Sequence, residues 1–189
     1  MPSIERRHML SLALAAIPAG ALAQTAAPAP LPSPGLVPAD ADREGRGARS
    51  IGVSSTAYKV LTRDTGGAMF VMEQTNRKKG GPPRHLHHNE DELFFVLEGD
   101  YDVEVGGNRV SLHAGDCILG PRGIPHGWAY VGNSVGRLLI SFAPAGKMEA
   151  FFAASEKLRG PGKYAAGTSY GDALMHAFGM EHIGPSLSV

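Results

Sequence analysis

The sequence predicts an all-β domain, a sandwich or a closed barrel, followed by short C-terminal helices. Three observations carry this prediction. From Ile51 onward, apolar runs of roughly four to eight residues follow one another. Turn clusters separate them at about the 8–12-residue spacing of sandwiches and barrels. Near residue 146 the apolar pattern changes to a helical period. With 25 glycines and 14 prolines in 189 residues, turns are plentiful, and the length suits one domain with a substantial core.

The first element is an address. Residues 1–23 carry basic Arg6 and Arg7, an apolar stretch from Met9 to Ile17 and a small-residue site at Ala21-Leu22-Ala23, so cleavage is expected before Gln24. The stretch is too short to span a bilayer, and no stable membrane insertion is expected after cleavage. The adjacent arginines and the mild, Ala-rich apolar region resemble a twin-arginine export signal, which implies a periplasmic or secreted protein. A general secretory signal carrying two arginines is the alternative. Residues 24–50 alternate Pro with Ala and then become charged and Gly-rich, which reads as a disordered tether.

Residues 51–145 hold the strands. "AYKVLT", "AMFVMEQT", "ELFFVLEG", "YDVEV", "NRVSL", "DCILG", "HGWAYV" and "RLLISFA" are each a strand candidate. Asp64-Thr65-Gly66-Gly67, Gly106-Gly107-Asn108, Ala114-Gly115-Asp116 and Gly132-Asn133 are the turns between them. Residues 146–189 are a helical extension. "KMEAFFAASEKLRGPG" sets Met148, Phe151, Phe152 and Leu158 near one helical face and stops at Gly160-Pro161. "SYGDALMHAFG" opens with a Ser169–Asp172 capping box, and Gly179 is its C-terminal stop.

Charge excludes some partners. Lys plus Arg and Asp plus Glu are 18 each, and removing residues 1–23 leaves 16 basic against 17 acidic. Such a balance gives no electrostatic footprint for nucleic acid or an anionic membrane. The single cysteine, Cys117, excludes an intramolecular disulfide framework. In "DCILG" it reads as a small buried hydrophobe, with a thiolate ligand as the alternative.

The chemistry concentrates between Gly80 and Gly99. Histidines at 85, 87 and 88 lead almost directly into an apolar strand, although burying such groups is costly unless something pairs with them. In an extended chain His85 and His87 point the same way. Glu92 follows across a short bend, with Phe94 and Val96 on its face of the strand. His126 opens a later strand, just after Pro125. Converging inside a barrel, three imidazoles and a carboxylate make a site for a divalent transition metal, whose charge permits their burial. By spacing alone, a solvated loop before a strand remains the alternative.

The longer pattern is more specific. His85-x-His87-x4-Glu92-x6-Gly99 resembles the first motif of the cupins, and Gly115-x5-Pro121-x-Gly123-x2-His126 resembles the second. The likeness covers about Tyr58 to Phe142 and is nearest to bacterial single-domain cupins of the quercetin 2,3-dioxygenase-like type. Two positions depart from the pattern: Gly80 stands one residue nearer the first histidine than usual, and Tyr130 replaces an asparagine. The resemblance implies a jelly-roll β-barrel that holds one metal through His85, His87, Glu92 and His126.

Other candidates are weaker. His88 alternates away from the ligand face, while His113, His176 and His182 are isolated. Trp128 either lines a pocket or packs in the core, and Glu73 is a second carboxylate of undecided direction.

A three-His, one-Glu shell leaves open coordination positions, which catalysis requires. The resulting expectation is a metal-dependent dioxygenase acting with O2 on an enolic or phenolic, flavonol-like small molecule. Glu92 would be both ligand and proton acceptor, with Phe94, Val96 and Trp128 forming a water-poor pocket. Two alternatives stay open. One is a non-redox isomerase or lyase for a sugar acid or keto acid, with Arg84, Arg122 or Arg137 holding the carboxylate. The other is a metal-dependent binding module without turnover. Mn, Fe, Co, Ni, Cu and Zn all suit this donor set, and a homodimer is the assembly to test for.

Overall fold

Alternation of buried and exposed residues along short extended segments builds a two-sheet β-barrel of jelly-roll type. The computed structural model describes residues 35–39, 41–157 and 168–189. The export segment 1–23 and the proline-rich start of the tether lie outside them. In chain order the elements begin with β1 (Arg49–Ile51), β2 (Ser54–Val60), β3 (Phe70–Asn76), β4 (Pro83–His87), β5 (Asp91–Glu98) and β6 (Tyr101–Val105). They continue with β7 (Asn108–Leu112), β8 (Cys117–Gly120), β9 (His126–Tyr130) and β10 (Gly136–Ala143). Helices α1 (Met148–Lys157) and α2 (Ser169–Ala177) and a last strand, β11 (Met180–Ser186), complete the chain.

One sheet has the order β1-β2-β3-β10-β5-β8 and the other β11-β4-β9-β6-β7. All pairings are antiparallel, so each strand has one face for the interior. On β5 that face carries Glu92, Phe94 and Val96; on β10 it carries Leu138, Ile140 and Phe142. Phe70, Phe94, Tyr101, Leu138 and Phe142 are fully enclosed and form the centre of the core. α1 contributes Met148, Phe151 and Phe152 to the same cluster, the face its sequence predicts. Leu158 and the Gly160-Pro161 stop lie outside the described residues.

Several sequence expectations need correction. The packed chain begins before Ile51, where the composition placed the end of the tether. Asp42 is buried, accepts the Tyr58 amide at 2.8 Å and pairs with Arg49, whose guanidinium lies 3.9 Å over the Tyr58 ring. A buried ion pair is invisible in a local average of polarity. The tail is not wholly helical either, because β11 pairs with β4, setting Met180 opposite His87 and His182 opposite His85. Gly184 and Pro185 mask β11 in the sequence, and only pairing makes it a strand. The cap of α2 is Thr168, whose hydroxyl accepts the Gly171 amide at 3.1 Å, one residue before the predicted Ser169. Gly179, with φ +81°, follows the end of α2 as expected. Cys117 is exposed rather than buried, because β8 is an edge strand and Cys117 lies on its outer side.

Candidate metal centre

The two sheets each supply part of one cluster. His85 and His87 stand on the inward face of β4, and His126 opens β9 directly opposite His85. Glu92 comes from the facing sheet, flanked on β5 by Gly120 and Phe142. Gly120 is needed there: a Cβ would stand 2.9 Å from His126 Nδ1. All four residues are buried, and one potential ligand atom from each lies within 4.8 Å of the others. His88 points away from this group, as strand alternation predicts; its side chain is half exposed and lies 3.8 Å from Glu181.

The hydrogen bonds set the direction of each ring. His85 Nδ1 is 2.8 Å from the Pro83 carbonyl oxygen, and His126 Nδ1 is 2.9 Å from that of Ile124. A carbonyl only accepts, so in both rings Nδ1 carries a proton and Nε2 is the nitrogen turned inward. Glu92 Oε2 sits among those nitrogens, 2.9 Å from His126 Nε2, 3.0 Å from His87 Nε2 and 3.8 Å from His85 Nε2. Three ring nitrogens and a carboxylate oxygen brought together in a buried space are a donor set that fits a divalent transition metal.

The electrostatics agree. Burial by itself would raise the Glu92 carboxyl, but three imidazole contacts outweigh it and hold the group well below the usual carboxylate range. Burial disfavours the charged form of His126 too, yet the Glu92 bond raises that ring above its ordinary value. At His87 burial prevails, aided by the neighbouring rings of His85 and His126, and its value falls. Metal ligation requires an ionised carboxylate and neutral rings; the directions at Glu92 and His87 run that way, and at His126 an ion would displace the proton that the Glu92 bond favours.

Glu90 is a residue that sequence reasoning missed. It is fully buried, and its Oε2 lies 3.7 Å from His87 Nδ1; among the described residues neither atom has a hydrogen-bond partner. The other oxygen accepts the Lys147 amide at 3.3 Å. Burial lifts its carboxyl above the ordinary range, against the backbone amides that pull it down. The acidic run Glu90-Asp91-Glu92 was the available signal. It could not say which of the three turns inward.

A cavity of about 330 Å³ opens beside the cluster, within the size range of small-molecule sites. His85, His87 and Glu92 form part of its wall, and Ile140, Phe142 and Trp128 give it an apolar lining. Trp128 thus lies where a pocket role requires. Phe94 and Val96 are not lining residues: they share Glu92's face but sit deeper, with the Phe94 ring 5.8 Å from that of His126. Among the described residues, no arginine or lysine lines the cavity. Arg84 pairs with Glu104, Arg122 with Asp91, and Arg137 with Glu73 at 2.7 Å. Glu73 faces outward on β3, between two cavity-lining neighbours, Met72 and Gln74. Of the remaining histidines, His113 and His176 are exposed, and His182 contacts Asp172 and the Gly184 carbonyl.

The two departures from the expected motifs prove to be partners. Gly80 and Tyr130 exchange backbone hydrogen bonds of 3.0 and 2.9 Å, closing the segment that leads into β4.

Residues 72–142 match the family model described as Cupin domain. No curated protein matches the chain. Among solved structures, KdgF from Halomonas sp. is 16% identical with a TM-score of 0.48, covering 54% of this chain and 89% of that one. An RmlC-like cupin from Shewanella frigidimarina NCIMB 400 is 22% identical with a TM-score of 0.46, covering 57% and 92%. A predicted oxalate decarboxylase from Thermotoga maritima is 20% identical with a TM-score of 0.46, covering 48% and 80%. The matched segment contains His85, His87, Glu92 and His126, so the whole cluster lies in the part of this chain that matches the cupin domain model.

Proposed function

We propose that this chain is a metal-dependent dioxygenase for an enolic or phenolic aromatic molecule, of the quercetin 2,3-dioxygenase-like type that its motifs resemble. The supporting observation is the pairing of a buried His85, His87, Glu92 and His126 cluster with a mainly apolar cavity that no arginine or lysine among the described residues lines. A sugar acid or keto acid calls for a cation at its carboxylate, and the three candidate arginines are each held by an acidic partner elsewhere.

A divalent ion (Mn, Fe, Co, Ni, Cu or Zn) held by the four residues supplies Lewis acidity and, where redox-active, an electron path between substrate and O2. Everything else is the work of the chain. His85 and His126 keep their Nε2 atoms aimed inward through their bonds to backbone carbonyls. Glu92, ionised and at the cavity wall, accepts the proton of the substrate's enolic hydroxyl at a carboxylate oxygen. Ile140, Phe142 and Trp128 hold a flat organic ring and keep water from the reacting atoms. We further propose that residues 1–23 direct the chain out of the cytoplasm by a twin-arginine-like route, so the enzyme acts in the periplasm or outside the cell.

The test is O2 uptake by protein loaded with each ion in turn and mixed with a flavonol. Matching consumption of flavonol and O2 is expected. Glu92→Gln should slow the metal-normalised rate beyond what its metal loss explains. Absence of uptake with every ion, alongside oxygen-independent conversion of a sugar acid or keto acid, would overturn the dioxygenase reading in favour of an isomerase or lyase.

A further inference from the structure

The cavity has a second polar region that the metal cluster does not use. Gln74 lies on the inner face of β3, is only 5% exposed, and lines the cavity. Its Oε1 has no hydrogen-bond partner among the described residues. Ser155 of α1 is 7% exposed, lines the same cavity, and its hydroxyl likewise has no partner there. Two such atoms, buried and unpaired, cost stability in an apolar wall, and sites that bind are where such costs are retained.

Strand register separates this region from the metal ligands. Glu92 is level with Phe142 on β10, and Phe142 with Phe70 on β3; Gln74 stands four residues farther along, opposite Leu138. Four residues of extended chain span roughly 13 Å. Ser155 approaches from the same side: Gln74 is opposite Thr56, Thr56 is opposite Arg49, and Arg49 holds Glu156 at 3.3 Å. Of the neighbouring polar groups, Asn76 donates to Ser54 Oγ at 2.8 Å and accepts from Tyr101 at 2.9 Å, while the buried Thr56 hydroxyl, opposite Gln74, also has no partner among the described residues.

Resting on the enolic-aromatic reading, we propose that Gln74 and Ser155 form a neutral hydrogen-bonding subsite for a hydroxyl group at the end of the substrate remote from the metal. A hydroxyl is the group that suits both partners. It donates to Gln74 Oε1 and accepts from the Ser155 hydroxyl, whereas a carboxylate or phosphate would meet a carbonyl-type oxygen in a cavity that no arginine or lysine among the described residues lines. The substrate class narrows to elongated aromatics with an enolic oxygen at one end and a phenol at the other.

Two measurements test this on the full chain. The first compares 3-hydroxyflavone with its 4′-hydroxy derivative as ligands of the metal-loaded protein without O2. The protein should bind the hydroxylated compound about tenfold tighter. Gln74→Met, close in volume, should abolish that preference, and Ser155→Ala should reduce it. A preference that survives in Gln74→Met overturns the subsite. The second measurement is the thermal midpoint of ligand-free protein. Gln74→Met should hold or raise it, because an unpaired oxygen is removed; a fall of several degrees means that Gln74 serves the fold and overturns the proposal. If neither flavonol binds, the enolic-aromatic reading fails, and the thermal midpoint still decides whether Gln74 is free for a ligand.

Discussion

Glu90→Gln isolates the role of a residue that touches one histidine and no cavity. Glu90 Oε1 accepts the Lys147 amide, so the replacement side chain keeps its carbonyl oxygen on that side and turns its NH2 toward His87 Nδ1, where Oε2 now stands 3.7 Å away. An NH2 group donates, and His87 Nδ1 must then accept. The tautomer with its proton on Nε2, 3.0 Å from Glu92 Oε2, is then favoured over the one that would present an Nε2 lone pair to a metal, which needs an acceptor beside Nδ1. Losing a partner that orients a ligating histidine typically costs 10–100-fold in metal affinity, or about 1.4–2.7 kcal/mol. The variant is nearly isosteric, which matters in a site where a Cβ on Gly146 would lie only 1.7 Å from Glu90 Oε1. Competition between protein and a chelator of known affinity, with Mn2+ or Co2+ at fixed pH, measures the change. The thermal midpoint of metal-free protein checks that the variant folds. A folded Glu90→Gln variant with metal affinity within threefold of the parent would refute the assignment.

The other predictions follow from the same contacts. His85→Ala, His87→Ala and His126→Ala should each lose most bound metal, and with it the rise in thermal midpoint that added metal produces, whereas half-exposed His88→Ala should retain both; elemental analysis and paired melts decide, and full occupancy in His126→Ala would displace the site. Asp42→Asn should destabilise the fold by about 3 kcal/mol or less in urea titrations, since Glu44 at 2.9 Å and Glu156 at 3.3 Å remain beside Arg49. Burial would raise the Asp42 carboxyl, but the Tyr58 amide and Arg49 hold it below the ordinary aspartate value, so its contribution is present above that ordinary value and lost as pH falls through the folded-state value. The parent should therefore lose stability in acid more steeply than Asp42→Asn; equal slopes would count against the pair. Arg6→Lys with Arg7→Lys should leave precursor in the cytoplasm, as immunoblots of cell fractions would reveal, while blocking the general secretory route should change little; efficient export of the double variant would sink the twin-arginine reading.

Much of the architecture is written in local pattern. Alternation along "ELFFVLEG" and "RLLISFA" is sufficient to put Glu92, Phe94 and Val96 on one face and Leu138, Ile140 and Phe142 on another, because side-chain direction in a strand depends on period alone. The identities and spacing of His85, His87, Glu92 and His126 likewise pointed to one cluster before any distance was known. Depth was not legible. Phe94 and Val96 share Glu92's face yet fall below the cavity, since how far an open space extends depends on what the opposite sheet and α1 bring to it. Pairing was not legible either: β11 is a strand only because it lies on β4, and Asp42 is buried only because Arg49 and the Tyr58 amide meet it. Local sequence determined direction and chemistry, which are properties of single side chains and their neighbours. Tertiary structure decided the turn of Glu90 toward His87 and the approach of Ser155 to the cavity that Gln74 lines, because contacts between residues distant in the chain depend on how both sheets and the helix close together.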